Sequence, residues 1–120
     1  MTKYFVGALL ATTVALTGSV FAQTPQSTPL RTFIIERDIP KVGSLDQSQL
    51  SAAAAKSNQV LGQLGADIQW VHSYVAGDKT FCVYRAKDEI VIRKHAEISG
   101  FPASKITEVQ RVIDPTTASK

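Results

Sequence analysis

Two stretches with helical spacing alternate with four β-rich stretches, and this order is the feature that most constrains the fold. Apolar residues recur at helical spacing over residues 46–64, and a second helical stretch covers 90–99. The four β-rich stretches are 32–39, 68–76, 79–86 and 106–113. The order β-α-β-β-α-β predicts an α+β domain of the ferredoxin-like type, an antiparallel sheet with both helices on one face.

Local signals mark the ends of these elements. Gly77 and Asp78 stand between the second and third β-rich stretches and predict a tight hairpin. Ser44, followed three residues later by Gln47, predicts a capping box at the start of the first helix. Gly65 follows the last apolar residue of that helix and is expected to end it.

The N-terminal residues are typical of a secretory signal peptide. Lys3 precedes an uncharged apolar run, and Val20 and Ala22 fit the two positions that signal peptidase reads before its cut. We therefore expect residues 1–22 to be a signal peptide that is cleaved after Ala22. A membrane anchor is the alternative, and it is disfavoured because the strongly apolar part of the run is short and rich in Thr and Gly.

Cleavage at this point would leave a flexible polar leader at 23–31 and one folded domain at 32–117. The exported protein would be periplasmic or secreted, which is an oxidising location, and it would keep no membrane span. Loss of Lys3 leaves 12 basic and 10 acidic side chains, so the net charge falls from +3 to +2. A charge this small does not indicate nucleic acid or a lipid surface as a partner.

The predicted domain, of about 85 residues, is short for a stable core. One face of its sheet takes both helices, and the other face is left open. If that open face is apolar, pairing with a second copy is the usual way to cover it, which predicts a homodimer built as an α+β barrel. The single cysteine, Cys82, excludes an internal disulfide and a CxxC metal motif.

Alternation along the strands is expected to place one chemically varied set of side chains on the open face. The set is Glu36, Trp70, His72, Tyr74, Cys82 and Tyr84. Its carboxylate, imidazole and thiolate are suitable ligands for nickel, zinc or copper. The residues alone favour a dimer interface or a pocket lining instead, because no HxH, HxxxH or HExxH spacing is present.

The second histidine, His95, is expected to point towards the sheet. On a helical wheel it lies near Val91, Ile92 and Ile98, away from the charged residues of the same helix. A buried imidazole usually needs a hydrogen-bond partner, and a backbone carbonyl or a hydroxyl such as that of Ser73 would serve. The alternative is a metal ligand or proton donor at the edge of a cavity. His72 and His95 are then expected on opposite faces of the sheet.

The sequence carries no strong catalytic motif. There is no GxSxG nucleophile elbow and no glycine-rich phosphate loop. Enzyme activity is therefore the less favoured interpretation, although a dimeric α+β-barrel enzyme or small-molecule carrier stays open as an alternative. Its pocket would lie between the two open sheets and would be lined by Trp70, Tyr74 and Tyr84. A purely structural interaction module is also compatible with the residues.

Several stretches together resemble a known family. They are 35–40 (IERDIP), 56–61 (KSNQVL), 68–75 (IQWVHSYV), 78–84 (DKTFCVY), 92–96 (IRKHA), 100–103 (GFPA) and 112–117 (VIDPTT). They are similar to a family of small bacterial proteins catalogued as a domain of unknown function, whose members are often named nickel-binding or nickel-responsive.

The resemblance covers residues 32–117 and implies a ferredoxin-like fold, a homodimer and binding of nickel, or another divalent transition metal, without a known reaction. Within the matching stretches, the side chains able to bind such a metal are His72, His95, Cys82 and Glu36. Members of the family often lack a leader, so the predicted signal peptide is a departure and argues against a cytoplasmic storage role.

Overall fold

A computed structural model describes residues 3–4, 7–11, 13–24 and 26–119. Its strands and helices are β1 (Arg31–Asp38), α1 (Gln47–Leu64), β2 (Ile68–Val75), β3 (Lys79–Ala86), α2 (Glu89–Ser99) and β4 (Lys105–Glu108). Short 3-10 turns cover Val42–Ser44, Gly65–Asp67 and Pro115–Ser119. The predicted α+β class and the order of the main elements are confirmed.

The four strands form one antiparallel sheet in the order β2-β3-β1-β4. Both helices pack on the same face of it, because Val91 and Ile92 of α2 and Leu61 of α1 share one apolar cluster with Phe33 and Ile35 of β1. The arrangement is consistent with the expected ferredoxin-like fold.

The residues described before β1 contain no helix or strand and are almost all exposed. The predicted signal peptide includes Met1, Thr2, Phe5, Val6 and Thr12, and the predicted leader includes Pro25; these six lie outside the described residues. Across the part of the chain that is described, no helix is both long enough and apolar enough to cross a membrane. The signal peptide, its cleavage and the domain boundaries remain predictions.

Helix α1 begins two residues later than the predicted capping box. Asp46 is the N-cap: its carboxylate accepts the Gln49 backbone N–H at 2.8 Å, and the Gln49 side chain accepts the Asp46 N–H at 2.9 Å. The predicted box at Ser44 and Gln47 is wrong because the Ser44 hydroxyl donates to the carbonyl of Lys41 within the preceding 3-10 turn. Gly65 ends the helix as expected, with φ of 73°.

A β-bulge at Val71 changes which side chains of β2 face the helices. Trp70 pairs with Tyr84 and His72 pairs with Val83, so Val71 is the extra residue between them. Before the bulge, the side chains of Ile68 and Trp70 face the core beneath the helices. After the bulge, the side chain of Ser73 faces the core. A strict alternation from Ile68 to Val75 therefore fails halfway along the strand.

The predicted open-face set is wrong for three of its six residues. Cys82 and Tyr84 are buried beneath the helices, and Trp70 packs against the core cluster. The side chains of the alanine-rich stretch 52–55 of α1 are small, so the aromatic side chains of Trp70 and Tyr84 fit beneath that helix.

The last strand is shorter than predicted. β4 ends at Glu108, opposite Phe33, and the Val109 N–H donates to the carbonyl of Thr32 at 2.8 Å. The partner strand β1 begins at Arg31, so the residues after Val109 have no further strand to pair with. Val112 and Ile113 consequently lie exposed beyond the sheet, although their β-branched side chains suit a strand.

Candidate functional site

A buried chain of three polar side chains links the two helices to the sheet. The Ser57 hydroxyl of α1 lies 3.1 Å from Nε2 of His95 on α2 and 3.4 Å from the hydroxyl of Tyr84 on β3. The Tyr84 and His95 rings are 5.5 Å apart, centroid to centroid. The predicted inward direction of His95 is confirmed, since the residue is fully buried. Its partner is a hydroxyl, that of Ser57 and not of Ser73.

The surroundings of His95 favour its neutral form. Burial first, and then the positive charge of Arg37, lower the pKa of the imidazole from its ordinary 6.5 to about 4. A contribution from the Ser57 backbone acts in the opposite direction and is the smallest of the three. Burial likewise raises the pKa of the Tyr84 phenol. Both groups are therefore uncharged at neutral pH, which suits their positions in the core.

Arg37 is the one charged side chain of β1 that is buried beneath the helices. It is 3% exposed, and its Nη1 donates to the carbonyls of Phe101 and Pro102 at 3.1 and 3.0 Å. Gly100 makes this contact possible because it ends α2 in the left-handed region, with φ of 77°, and turns the next residues back towards the sheet. Nη2 of Arg37 is buried without a hydrogen-bond partner among the described residues.

A cavity of about 390 Å³ lies between α1 and the sheet. Its polar or polarisable lining residues include Arg37, Ser57, Trp70, Ser73, Cys82 and Tyr84. Trp70 and Tyr84 do line a pocket, as predicted, but the pocket is beneath the helix and not on the open face. Tyr74, the third predicted pocket residue, is 63% exposed on the opposite side of the sheet.

The open face carries the other candidate residues. His72 is exposed, and its ring lies edge-on to that of Tyr74 at 5.0 Å between centroids. Glu36 is half-buried and accepts from Nζ of Lys79 at 3.2 Å, with Nζ of Lys105 at 4.0 Å. The hydrogen bond that Lys79 donates to Glu36 raises the pKa of Lys79, so this lysine is charged at neutral pH. Within one subunit Glu36 is therefore already engaged by lysines.

The four predicted metal ligands do not come together in one subunit. His72 and Glu36 belong to the open face, whereas His95 and Cys82 lie beneath the helices. The Cys82 Sγ is buried 3.4 Å from the Thr80 hydroxyl. No group of three or more His, Cys, Asp and Glu residues suited to a metal ion occurs among the described residues. Their role as ligands stays a prediction.

Sequence reasoning missed two residues of the buried site, Arg37 and Ser57. The burial of Arg37 follows from its alternation with Phe33 and Ile35, which was visible in the sequence. Ser57 occupies an apolar position in the helical repeat of α1, which was also visible. Neither pattern reveals that the two residues meet across a cavity, since that depends on how the helix packs.

Comparison with known proteins settles the family. A family model described as nickel responsive protein SCO4226-like matches residues 33–109, which is more than half of the chain. The chain belongs to this nickel-responsive family. The resemblance noted from the sequence is thereby confirmed.

A solved structure supports the fold of this nickel-responsive family member. The crystal structure of SCO4226 from Streptomyces coelicolor A3(2) aligns with a TM-score of 0.58 and 15% identity, covering 68% of this chain and 99% of that one. At this identity the likeness concerns the fold alone. No curated protein matches the sequence.

We expect His95 to make stability fall in mild acid. Its folded-state pKa lies below the ordinary value, so between pH 6.5 and 4 the unfolded chain binds more protons than the folded chain. The free energy of unfolding should therefore fall on acidification through that window, by on the order of 2 kcal/mol from this residue. Urea unfolding of the parent and of His95→Gln at several pH values isolates the contribution.

In the His95→Gln variant this component is absent, so the difference in stability between the two proteins should change as the pH falls from 7 to 4.5. A difference that stays constant over that range would contradict a neutral, buried His95.

Proposed function

We propose that this protein is an exported homodimer that binds a divalent transition metal, nickel being the first candidate, without catalysing a reaction. The observation that carries the proposal is the exposed imidazole of His72 on a sheet face left uncovered by either helix. The nickel-responsive family supports the choice of metal. Imidazole nitrogen is a ligand well suited to nickel.

The open face has the character of a self-association surface. The side chains of Tyr74 and Phe81 on this face are 63% and 36% exposed, and Val71 at the bulge is 51% exposed. The partly buried Ile34 and Val83 fill the space between them. Two copies related by a two-fold axis would cover the same apolar patch on each other and would form the α+β barrel expected from the sequence.

Pairing of this kind would also supply what one subunit lacks. A lone imidazole is a weak metal site, but a two-fold axis through the open face gives two copies of His72. Glu36 lies on the same face and could add a carboxylate, at the cost of its contacts with Lys79 and Lys105. Cys82 and His95 lie beneath the helices and would belong to a second, separate site.

Export follows from the N-terminal sequence and remains part of the proposal. In an oxidising compartment an exposed single cysteine would pair with other thiols. Cys82 is buried, so its placement is compatible with that environment. Periplasmic or secreted localisation would bring the metal site into contact with ions outside the cytoplasm.

Calorimetric titration with nickel tests the metal site. We expect saturable binding by the parent protein at neutral pH. His72→Ala should weaken it by about tenfold or more, because loss of an imidazole ligand removes a direct bond to the metal. Gln69→Ala, an exposed change on the same strand, is the control and should bind as the parent does.

Nickel affinity that is equal in the parent, His72→Ala and Gln69→Ala would contradict a site at His72. Absence of any binding heat from the parent above that of buffer would contradict nickel binding altogether.

Sedimentation velocity tests the dimer. Val83→Glu places a carboxylate in the middle of the open face, where pairing would bury it unpaired, and should raise the dimer dissociation constant about hundredfold or more. Ile90→Glu, at a 75% exposed position of α2, should leave the dimer intact. A monomeric parent, or a Val83→Glu variant that dimerises as the parent does, would contradict pairing through this face.

A further inference from the structure

We propose that the cavity beneath α1 is a binding site for a small organic monocarboxylate with an apolar body, and that Arg37 supplies its counter-charge. The site is separate from the open face and does not depend on the nickel proposal. It rests on three observations: an uncompensated buried guanidinium, a fixed orientation for that group, and a cavity of ligand size with a mainly apolar wall.

The first observation is the missing counter-charge. Arg37 is 3% exposed, and a guanidinium does not lose its proton in proteins. All ten acidic side chains lie in the described part of the chain, and none of them is within salt-bridge distance of Arg37. Its neighbours Glu36 and Asp38 pair with Lys79 instead. A buried charge without a partner is costly, so an anion that enters the cavity would be strongly favoured.

The second observation is the anchoring of the guanidinium. Phe101 and Pro102, whose carbonyls accept from Nη1, both line the cavity, as Arg37 does. These bonds hold the group at the cavity wall and leave Nη2 without a partner among the described residues. An arginine fixed in this way is suited to a carboxylate, because its N–H groups match the two oxygens of that anion.

The third observation is the cavity itself. Its volume of about 390 Å³ falls within the range of about 300–1,000 Å³ that small-molecule sites occupy. Much of the remaining wall is apolar and includes Val42, Leu50, Ala53 and Trp70. Four hydroxyls also line the cavity, those of Ser57, Ser73, Thr80 and Tyr84. A cavity with one positive charge at its wall and mostly apolar side chains elsewhere is complementary to a monocarboxylic acid with an apolar body.

The same lining argues against other ligand classes. Inorganic phosphate would bring a second negative charge that Arg37 alone would not balance, and it would leave the apolar wall unused. An uncharged alcohol would fill the apolar part but would leave Arg37 uncompensated. Discrimination between hexanoate, hexanol and phosphate therefore tests the chemistry assigned to the site.

Calorimetric titration of the purified protein with hexanoate and benzoate, in EDTA to exclude metal effects, is the direct test. We expect at least one carboxylate to bind, with hexanol and phosphate at least about tenfold weaker. Arg37→Gln should weaken carboxylate binding by a similar factor. Arg31→Gln is the matched control, since Arg31 lies on the same strand but is exposed and paired with Glu108.

Arg37→Gln removes bonds to the 101–102 segment and can impair folding, so a second variant fills the cavity from the helix side. Ala54 lines the cavity on α1, and Ala54→Leu adds apolar volume there without a polar change. We expect this variant to fold with an unfolding midpoint at or above that of the parent and to lose carboxylate binding.

Three results would overturn the proposal: no binding of either carboxylate, equal affinity for hexanoate and hexanol or phosphate, or full carboxylate binding by folded Ala54→Leu. Nickel binding measured on Ala54→Leu should equal that of the parent. This comparison separates failure of the carboxylate site from failure of the metal site at His72.

Discussion

The alternation along β1 is the constraint on which the rest of the structure depends. This strand lies inside the sheet, between β3 and β4, so both of its edges are hydrogen-bonded. Phe33 and Ile35 form the core beneath the helices, and Arg37 continues the same row to the cavity. Ile34 and Glu36 point the other way and help to form the open face. A shift of one residue in this register would exchange the core with the proposed dimer surface.

The two faces of the sheet separate two kinds of chemistry. Beneath the helices, His95 is held neutral by burial and by the nearby charge of Arg37, and Nη2 of Arg37 is buried without a hydrogen-bond partner among the described residues. On the open face, Glu36 and Lys79 balance each other, and His72 is exposed among apolar side chains. The polar groups on the helix-covered face thus line or adjoin a cavity, and those on the open face are accessible at the surface.

The sequence predicted the features that depend on one helix or strand alone. The spacing of apolar residues located the helices and strands, and the helical wheel predicted that His95 points inward. The sequence did not predict the features that depend on how two elements pack or pair. The bulge at Val71 has no signature in the run 68–75. Alternation along β3 shows that Cys82 and Tyr84 share a face, but which face the helices cover depends on their packing, and Cys82 and Tyr84 are buried beneath them. The length of β4 depended on where its partner β1 begins.

Anomalous X-ray scattering at the nickel edge, from crystals of the protein grown with nickel, tests the central claim most directly because it locates the metal. Our account predicts a nickel peak on or near a two-fold axis between two open sheet faces, within bonding distance of His72 from both subunits. A peak bound to Cys82 or His95 beneath the helices, with nothing at His72, would contradict it. So would a crystal of monomers whose open faces bind neither metal nor each other.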